Sequence, residues 1–429
     1  VVTGSAIIVL LIMIITLVLF ALPKFKIIQK LTDNLNRTTR ENLIGIRVVR
    51  AYNAEKYQEK QFNKVNNELT KTNMFTQRLM AMIPAVMPLI MSGLTLAIYF
   101  MGAYLIDEAQ MMDKLGIFSN MVVFSSYAMQ VVMAFMMLAM IFIIYPRSAV
   151  SAKRILEVLD AEVSIKDGTI EKDVSTEKGT IEFKNVSFKY PDAEAYMLEN
   201  ISFKIEQGQT VAFIGSTGSG KSTLINLIPR FYDATEGVVL VDGINVKEYK
   251  QSYLYSKIGY VPQKAVMFSG TIQYNVAYGE SVGTKITNQK VKEAIKVAQG
   301  YDFVEKMPKK YKTHIAQGGT NVSGGQKQRL AIARAIARDP EIYIFDDSFS
   351  ALDYKTDYTL RKELKRYTKD ATVLIVAQRI GSIINADKII VLDNGIMVGM
   401  GTHKELLKKC KVYKEIALSQ LSKEELENA

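Results

Sequence analysis

The sequence predicts an α-helical transmembrane domain fused to an α/β domain of the P-loop NTPase class. Three observations carry that prediction: long uncharged apolar runs confined to the chain before Ala152, an ordinary soluble composition after it, and a glycine-rich loop set between a strand and a helix. At 429 residues the chain has room for more than one domain. The formal net charge is +11, and many of the early Lys and Arg flank the apolar runs. That placement points to the cytoplasmic face of a membrane, so no nucleic-acid partner is expected. The single cysteine, Cys410, lies in a Lys-rich stretch and can form no internal disulfide, which suits a reducing compartment.

The first element is the uncharged run from Val1 to Leu22, closed by Pro23, Lys24 and Lys26. About 20 such residues cross a bilayer as a helix. The run lacks the basic start and the cleavage site of a secretory signal. A second run extends from Leu79 to Ile106 and a third from Leu115 to Pro146, both long enough to span with tilt. The spans are placed at 4–22, 81–106 and 117–145, within a transmembrane region covering 1–165. The loop joining the last two, with Asp107, Glu108, Asp113 and Lys114, is poor in cations. Lys24, Lys26, Lys30, Arg37, Arg40, Arg147, Lys153 and Arg154 instead follow the first and third spans. Cationic segments stay inside, so the chain from Ala152 onward is expected to be cytoplasmic in a multi-pass protein of the cell membrane. Val1 then lies outside, with an odd number of spans and no initiating Met, so an N-terminal part is expected to be missing.

Between the first two spans lie about 55 polar, helix-favouring residues, which read as two helices projecting into the cytoplasm with a turn near Arg50 to Glu55. Met80, Met82, Met87, Met91, Met129, Met133, Met136, Met137 and Met140 fall within the spans. Flexible thioethers suit a surface that accepts varied apolar ligands, and they serve equally as lipid-facing or packing filler.

The soluble part, assigned to 181–416 with a tail over 417–429, opens its chemistry at Thr210–Ile214. This short apolar run precedes Gly215, Ser216, Thr217, Gly218, Ser219, Gly220, Lys221, Ser222 and Thr223, and the pattern Leu224–Ile228 follows. In that order the glycines let backbone N–H groups converge on phosphate oxygens at a helix start. Lys221 supplies charge at the β- and γ-phosphates of ATP, and Ser222 offers a hydroxyl to Mg²⁺. A second apolar strand, Ile342–Phe345, ends in Asp346, whose carboxylate suits the same ion. Asp347 occupies the next position, where a group that polarises the attacking water is expected.

Taken together these motifs resemble the ATP-binding cassette (ABC) exporters along essentially the whole chain. The diagnostic stretch, Val322-Ser323-Gly324-Gly325-Gln326-Lys327-Gln328-Arg329, is similar to the family's signature apart from Val322, where Leu is usual. Pro262-Gln263 resembles the Q-loop, Ser350-Ala351-Leu352-Asp353 the D-loop, and Phe188-Lys189-Tyr190-Pro191 the adenine-stacking loop. The resemblance implies two cassettes packed head to tail, each ATP lying between one chain's P-loop and the other's signature. Tyr190 would stack on adenine, and Gln263 would join Asp346 and Ser222 around Mg²⁺. Ser323, Gly324, Gly325, Gln326 and Asp353 would reach the partner's ATP. The three spans would be the last three of a six-helix half. The segment Arg50 to Glu55 would be a coupling segment, with Tyr52, Asn53 and Glu55 at its tip; the plainer reading is a solvated helical turn.

Two catalytic positions depart from the family pattern. Asp347 replaces the usual Glu after the magnesium Asp, and its carboxylate lies one methylene closer to the backbone. Gln378, in Ile375-Val376-Ala377-Gln378-Arg379, replaces the usual switch-loop His and can carry no imidazolium charge. Gln317 likewise stands where most exporters have Glu. The resemblance is to one subunit of the bacterial heterodimeric multidrug exporters, whose own P-loop site is slow while its intact signature completes a partner's site. A second half-exporter chain, a heterodimer rather than a homodimer, the lipid bilayer and a small hydrophobic substrate are the partners expected. The function expected is ATP-driven export of hydrophobic or amphipathic drugs; lipid or peptide export and a subunit that only gates a pathway are the competing readings. A soluble cassette ATPase would share the P-loop but not the spans.

Overall fold

The computed structural model describes residues 2–279 and 286–420. It divides the chain into two compact units, Val1–Glu162 and Val163–Ala429. The first contains four helices: α1 (Val2–Ile44), α2 (Ile46–Ala51), α3 (Glu55–Glu108) and α4 (Lys114–Leu159). Among the described residues three helical stretches are long and apolar enough to cross a membrane: Thr3–Ile44, Glu55–Glu108 and Lys114–Leu138. A 43-residue α1, at about 1.5 Å per residue, is roughly twice as long as a hydrocarbon core of about 30 Å is thick. The helix therefore continues through Pro23 and Lys24 into the polar segment instead of ending with its apolar run.

Leu10, Met87, Leu94, Ile98, Ala128 and Val132 form the small core where α1, α3 and α4 meet. The opposite faces leave Ile8, Ile12, Leu19, Leu96 and Phe100 exposed, as a lipid-facing surface requires. Gly102 lies where a Cβ would come within 2.1 Å of Met121 Sδ, so a larger residue there would require the Met121 side chain to move. Thr16 and Thr95 in the apolar stretches turn their hydroxyls onto the carbonyls four residues back, leaving no unpaired hydroxyl in an apolar medium. The turn joining α2 and α3 falls on Tyr52 to Ala54, inside the predicted interval, with Asn53 at φ +51°. Asn tolerates that left-handed conformation better than most residues.

The second unit runs β1 (Ile181–Phe188), β2 (Leu198–Ile205), β3 (Thr210–Gly215), α5 (Lys221–Asn226), β4 (Glu236–Val241), β5 (Ile244–Asn245), α6 (Gln251–Lys257) and β6 (Ile258–Val261). It continues through β7 (Gly270–Thr271), α7 (Ile272–Val276), α8 (Asn288–Val297), α9 (Tyr301–Glu305), β8 (His314–Ile315) and α10 (Gly324–Arg338). It closes with β9 (Ile342–Asp346), α11 (Tyr354–Tyr367), β10 (Thr372–Val376), β11 (Lys388–Asp393), β12 (Ile396–Gly401), α12 (His403–Lys409) and α13 (Lys411–Gln420). The main sheet has the order β12-β11-β3-β10-β9-β6, parallel except for β12. Its central strands are buried on both faces and read as continuous apolar runs. A second, antiparallel sheet has the order β2-β1-β4-β5.

The expected tail begins later than 417. Tyr413 and Ala417, four residues apart on one helix face, are both fully buried, so residues up to Gln420 complete α13. Residues 421–429 lie outside the described ones. Cys410 is buried beside Gly399 rather than carried on a free tail.

Candidate functional site

Three loops meet at the carboxyl edge of the main sheet, because β10 lies between β3 and β9 with Val376 in register with both Phe213 and Asp346. That edge of a parallel sheet is where ligands bind. The loop after β3 carries residues 215–223, the end of β9 carries Asp346 and Asp347, and the loop after β10 carries Gln378.

The P-loop is shaped by its glycines. A Cβ on Gly215 would lie 2.0 Å from Leu392 O, and Gly220 has φ +91° with Leu198 Cδ2 2.7 Å from its virtual Cβ. Lys221 is drawn into the loop, its ammonium donating to Gly215 O (3.0 Å), Ser216 O (2.6 Å) and Ser219 Oγ (3.2 Å). Burial lowers the Lys221 pKa, opposed by the charges of Asp347 and Asp346. Ser222 Oγ donates to Asp346 Oδ1 at 2.9 Å, bringing two of the three predicted magnesium ligands together from opposite sides of β10. Burial raises the Asp346 pKa, and the Ser222 hydrogen bond works against it. A hydroxyl, a carboxylate and an ammonium at the start of a helix form a donor set that fits Mg²⁺ and a polyphosphate. The third predicted ligand, Gln263, donates its Nε2 to Asp347 Oδ2 at 3.4 Å.

Asp347 adopts φ +43°. Its amide is bonded to Val376 O at 3.0 Å. Its Oδ2 also accepts Gln378 Nε2 at 2.8 Å. Burial raises the Asp347 pKa, while the Gln263 contact opposes the rise. The two residues that depart from the family pattern are thus directly bonded to each other, which was not legible from their spacing.

Tyr190 is half-buried, with its ring edge-on to Phe188 and Tyr232 and its hydroxyl 3.0 Å from Thr223 Oγ1. This joins the predicted adenine platform to the last P-loop residue. Ser323 caps α10 through a reciprocal capping box with Gln326, and Gly324 has open space around its Cβ position. Asp353 caps α11 by accepting Thr356 N–H. The signature segment is therefore presented as an exposed helix start with free backbone donors. Tyr52, Asn53 and Glu55 stay together at the α2–α3 turn, all exposed. Sequence reasoning missed Gln420, which reaches the backbone of Gln378 and Ile380. Its only sequence cue is the buried spacing of Tyr413 and Ala417, which extends α13 far enough to carry it there.

The ABC transporter family matches residues 198–350, and the ABC transporter transmembrane region matches residues 1–135. The chain is 42% identical over 400 residues to an uncharacterized ABC transporter ATP-binding protein of Mycobacterium tuberculosis, covering 93% of this chain and 68% of the relative. It is 36% identical over 405 residues to the ATP-dependent lipid A-core flippase of Haemophilus influenzae, covering 92% and 68%. A solved structure of a bacterial Atm1-family ABC exporter with ATP bound is similar at a TM-score of 0.84 and 27% identity, covering 98% of this chain and 72% of that one.

Proposed function

The chain belongs to the ABC transporters, as an exporter subunit uniting membrane-spanning helices with a cytoplasmic ATPase domain, and from this we propose that it is the slow-site subunit of a heterodimer exporting hydrophobic or amphipathic compounds. The observation carrying this reading is the 2.8 Å bond between Gln378 and Asp347. It engages the carboxylate expected to polarise water, at a position where the family's usual imidazole is replaced by a carboxamide.

ATP is held by the chain's own groups. Backbone N–H groups of 216–222 and the Lys221 ammonium meet the phosphates, while Tyr190 offers a face to the base. Mg²⁺, held by Ser222 and Asp346 and reached by Gln263 once that side chain turns, would neutralise charge developing on the phosphates. Asp347 would accept a water proton while its Oδ2 is engaged by Gln378 and Gln263, and from a shorter side chain than Glu. A shortfall in reach of this kind costs about a hundredfold in rate. Ser323, Gly324, Gly325 and Gln326, together with Asp353, would complete the site on a partner's P-loop, from helix starts that Ser323, Gln326 and Asp353 cap. Closure of the two cassettes would turn the spans through the 50–55 segment.

Changing the partner's catalytic Glu to Gln should abolish turnover of the pair, whereas Asp347→Asn should leave most of it. Equal loss from both changes overturns the asymmetric reading. A lipid substrate is the second reading, favoured by the similarity to a lipid flippase. ATPase assays on the reconstituted pair with drugs or lipids as stimulants separate the two.

A further inference from the structure

We propose that Gln420, the last residue of α13, is a positioning residue for the nucleotide site, acting through the loop that carries Gln378. Its carboxamide bonds that loop twice. Oε1 accepts Ile380 N–H at 2.8 Å and Nε2 donates to Gln378 O at 2.7 Å. One planar group paired with a donor and an acceptor two residues apart reproduces a rung of a β-ladder, fixing both the position and the rotation of the backbone it grips. The residue between the two contacts, Arg379, is held extended at φ −110°, ψ 125°.

The gripped residues are those that face Asp347. Gln378 Nε2 bonds its carboxylate, and the Arg379 charge favours the ionised form. Elsewhere the loop is tied by Ala377 N–H to Phe213 O at 3.1 Å and by Arg361 Nη1 to Gly381 O at 3.1 Å, and braced within itself by Ser382 N–H to Arg379 O at 3.1 Å and Ile383 N–H to Ile380 O at 2.9 Å. Gln420 therefore holds the stretch 378–380, which sets Gln378 and Arg379 beside Asp347.

Gln420 is itself exposed and adds little to the fold of α13, which is already fixed by buried Tyr413 and Ala417 and by the 2.7 Å contact between Tyr413 Oη and His403 Nδ1. A helix end secured elsewhere and reaching a catalytic loop with both polar atoms of one side chain positions that loop rather than propping up the domain. The inference rests on the reading that this P-loop takes ATP.

The test uses the full-length pair in a bilayer, with the partner's own P-loop disabled so that bound ATP reports on this chain. Gln420→Ala should slow single-turnover cleavage about tenfold while the ATP dissociation constant changes less than twofold. Hydrogen exchange at the Ile380 amide should accelerate at least tenfold in the same variant without nucleotide. Gln420→Glu, which keeps the acceptor for Ile380 and loses the donor to Gln378, should fall between wild type and Gln420→Ala in both measurements. Unchanged cleavage with accelerated exchange overturns the positioning role, and unchanged exchange overturns the clamp. A parallel rise in the dissociation constant and fall in melting temperature would make Gln420 merely structural. A wild-type pair that binds no ATP at this P-loop overturns the functional reading instead, because the exchange measurement needs no nucleotide.

Discussion

A carboxamide bonded to a carboxylate occupies one of its acceptor sites and fixes its rotation, and in this chain Asp347 and Gln378 stand in that relation at 2.8 Å. Restoring the longer acid and the imidazole together, as Asp347→Glu with Gln378→His, should raise turnover at this chain's own site at least tenfold, read by single-turnover cleavage with the partner's site disabled. Either change alone should recover less, since the two groups share one contact and their effects are not additive. Tyr190→Phe keeps the ring and loses only the Thr223 hydroxyl contact, so ATP affinity should fall no more than a few-fold. Tyr190→Ala should weaken it by about tenfold, consistent with roughly 1–3 kcal/mol for a base stacked on an aromatic ring. Nearly all of these residues were legible from motif spacing, because P-loop chemistry fixes residue types at fixed intervals. The Asp347–Gln378 bond was not legible, because it depends on β10 lying beside β9 in the sheet.

Short elements of the cassette are locked by charges that no motif announced. Lys257, buried at the end of α6, contacts Asp242 (3.0 Å), Asp173 (2.7 Å) and Glu341 (3.0 Å), tying the segment before β1 to the strands on either side. Asp242 is only 1% exposed, so Lys257→Ala would leave a buried carboxylate without its partner and should cost about 3–5 kcal/mol of stability, measured by denaturant unfolding of the chain. Lys257 and Tyr253 hold the Asp173 carboxyl below its ordinary value. A lowered acid stabilises the fold above its unfolded pKa of about 3.9, and that contribution is lost as pH falls through the lower folded value. His403 works in a range nearer neutrality. Burial lowers its pKa, so below about pH 6.5 the unfolded chain takes up a proton that the folded chain refuses. Stability should therefore decline by up to about 1.4 kcal/mol per pH unit as pH falls below 6.5, and His403→Gln should flatten that slope in thermal melts. Sequence patterning found β3, β9 and the helix after the P-loop, whose apolar runs are strong. It placed the end of the cassette too early, because α13 carries only two fully buried side chains in a charged stretch.

Two units with different solvents make up the molecule: one has apolar faces suited to lipid, the other an edge suited to phosphate. The division was legible from hydropathy alone, since a bilayer demands long uncharged runs. Expressed alone at full length, the chain should bind ATP but turn it over slowly, and robust turnover of the single chain would contradict the paired reading. At the far end of α1 and α2, Leu43, Ile44 and Tyr52 are 70%, 80% and 81% exposed, an apolar tip well beyond the reach of the bilayer. Such a surface is tolerated in water only while something covers it. On the paired reading proposed above, a surplus copy made without its counterpart would present this tip to chaperones and proteases, and its steady-state level would follow the abundance of the other subunit.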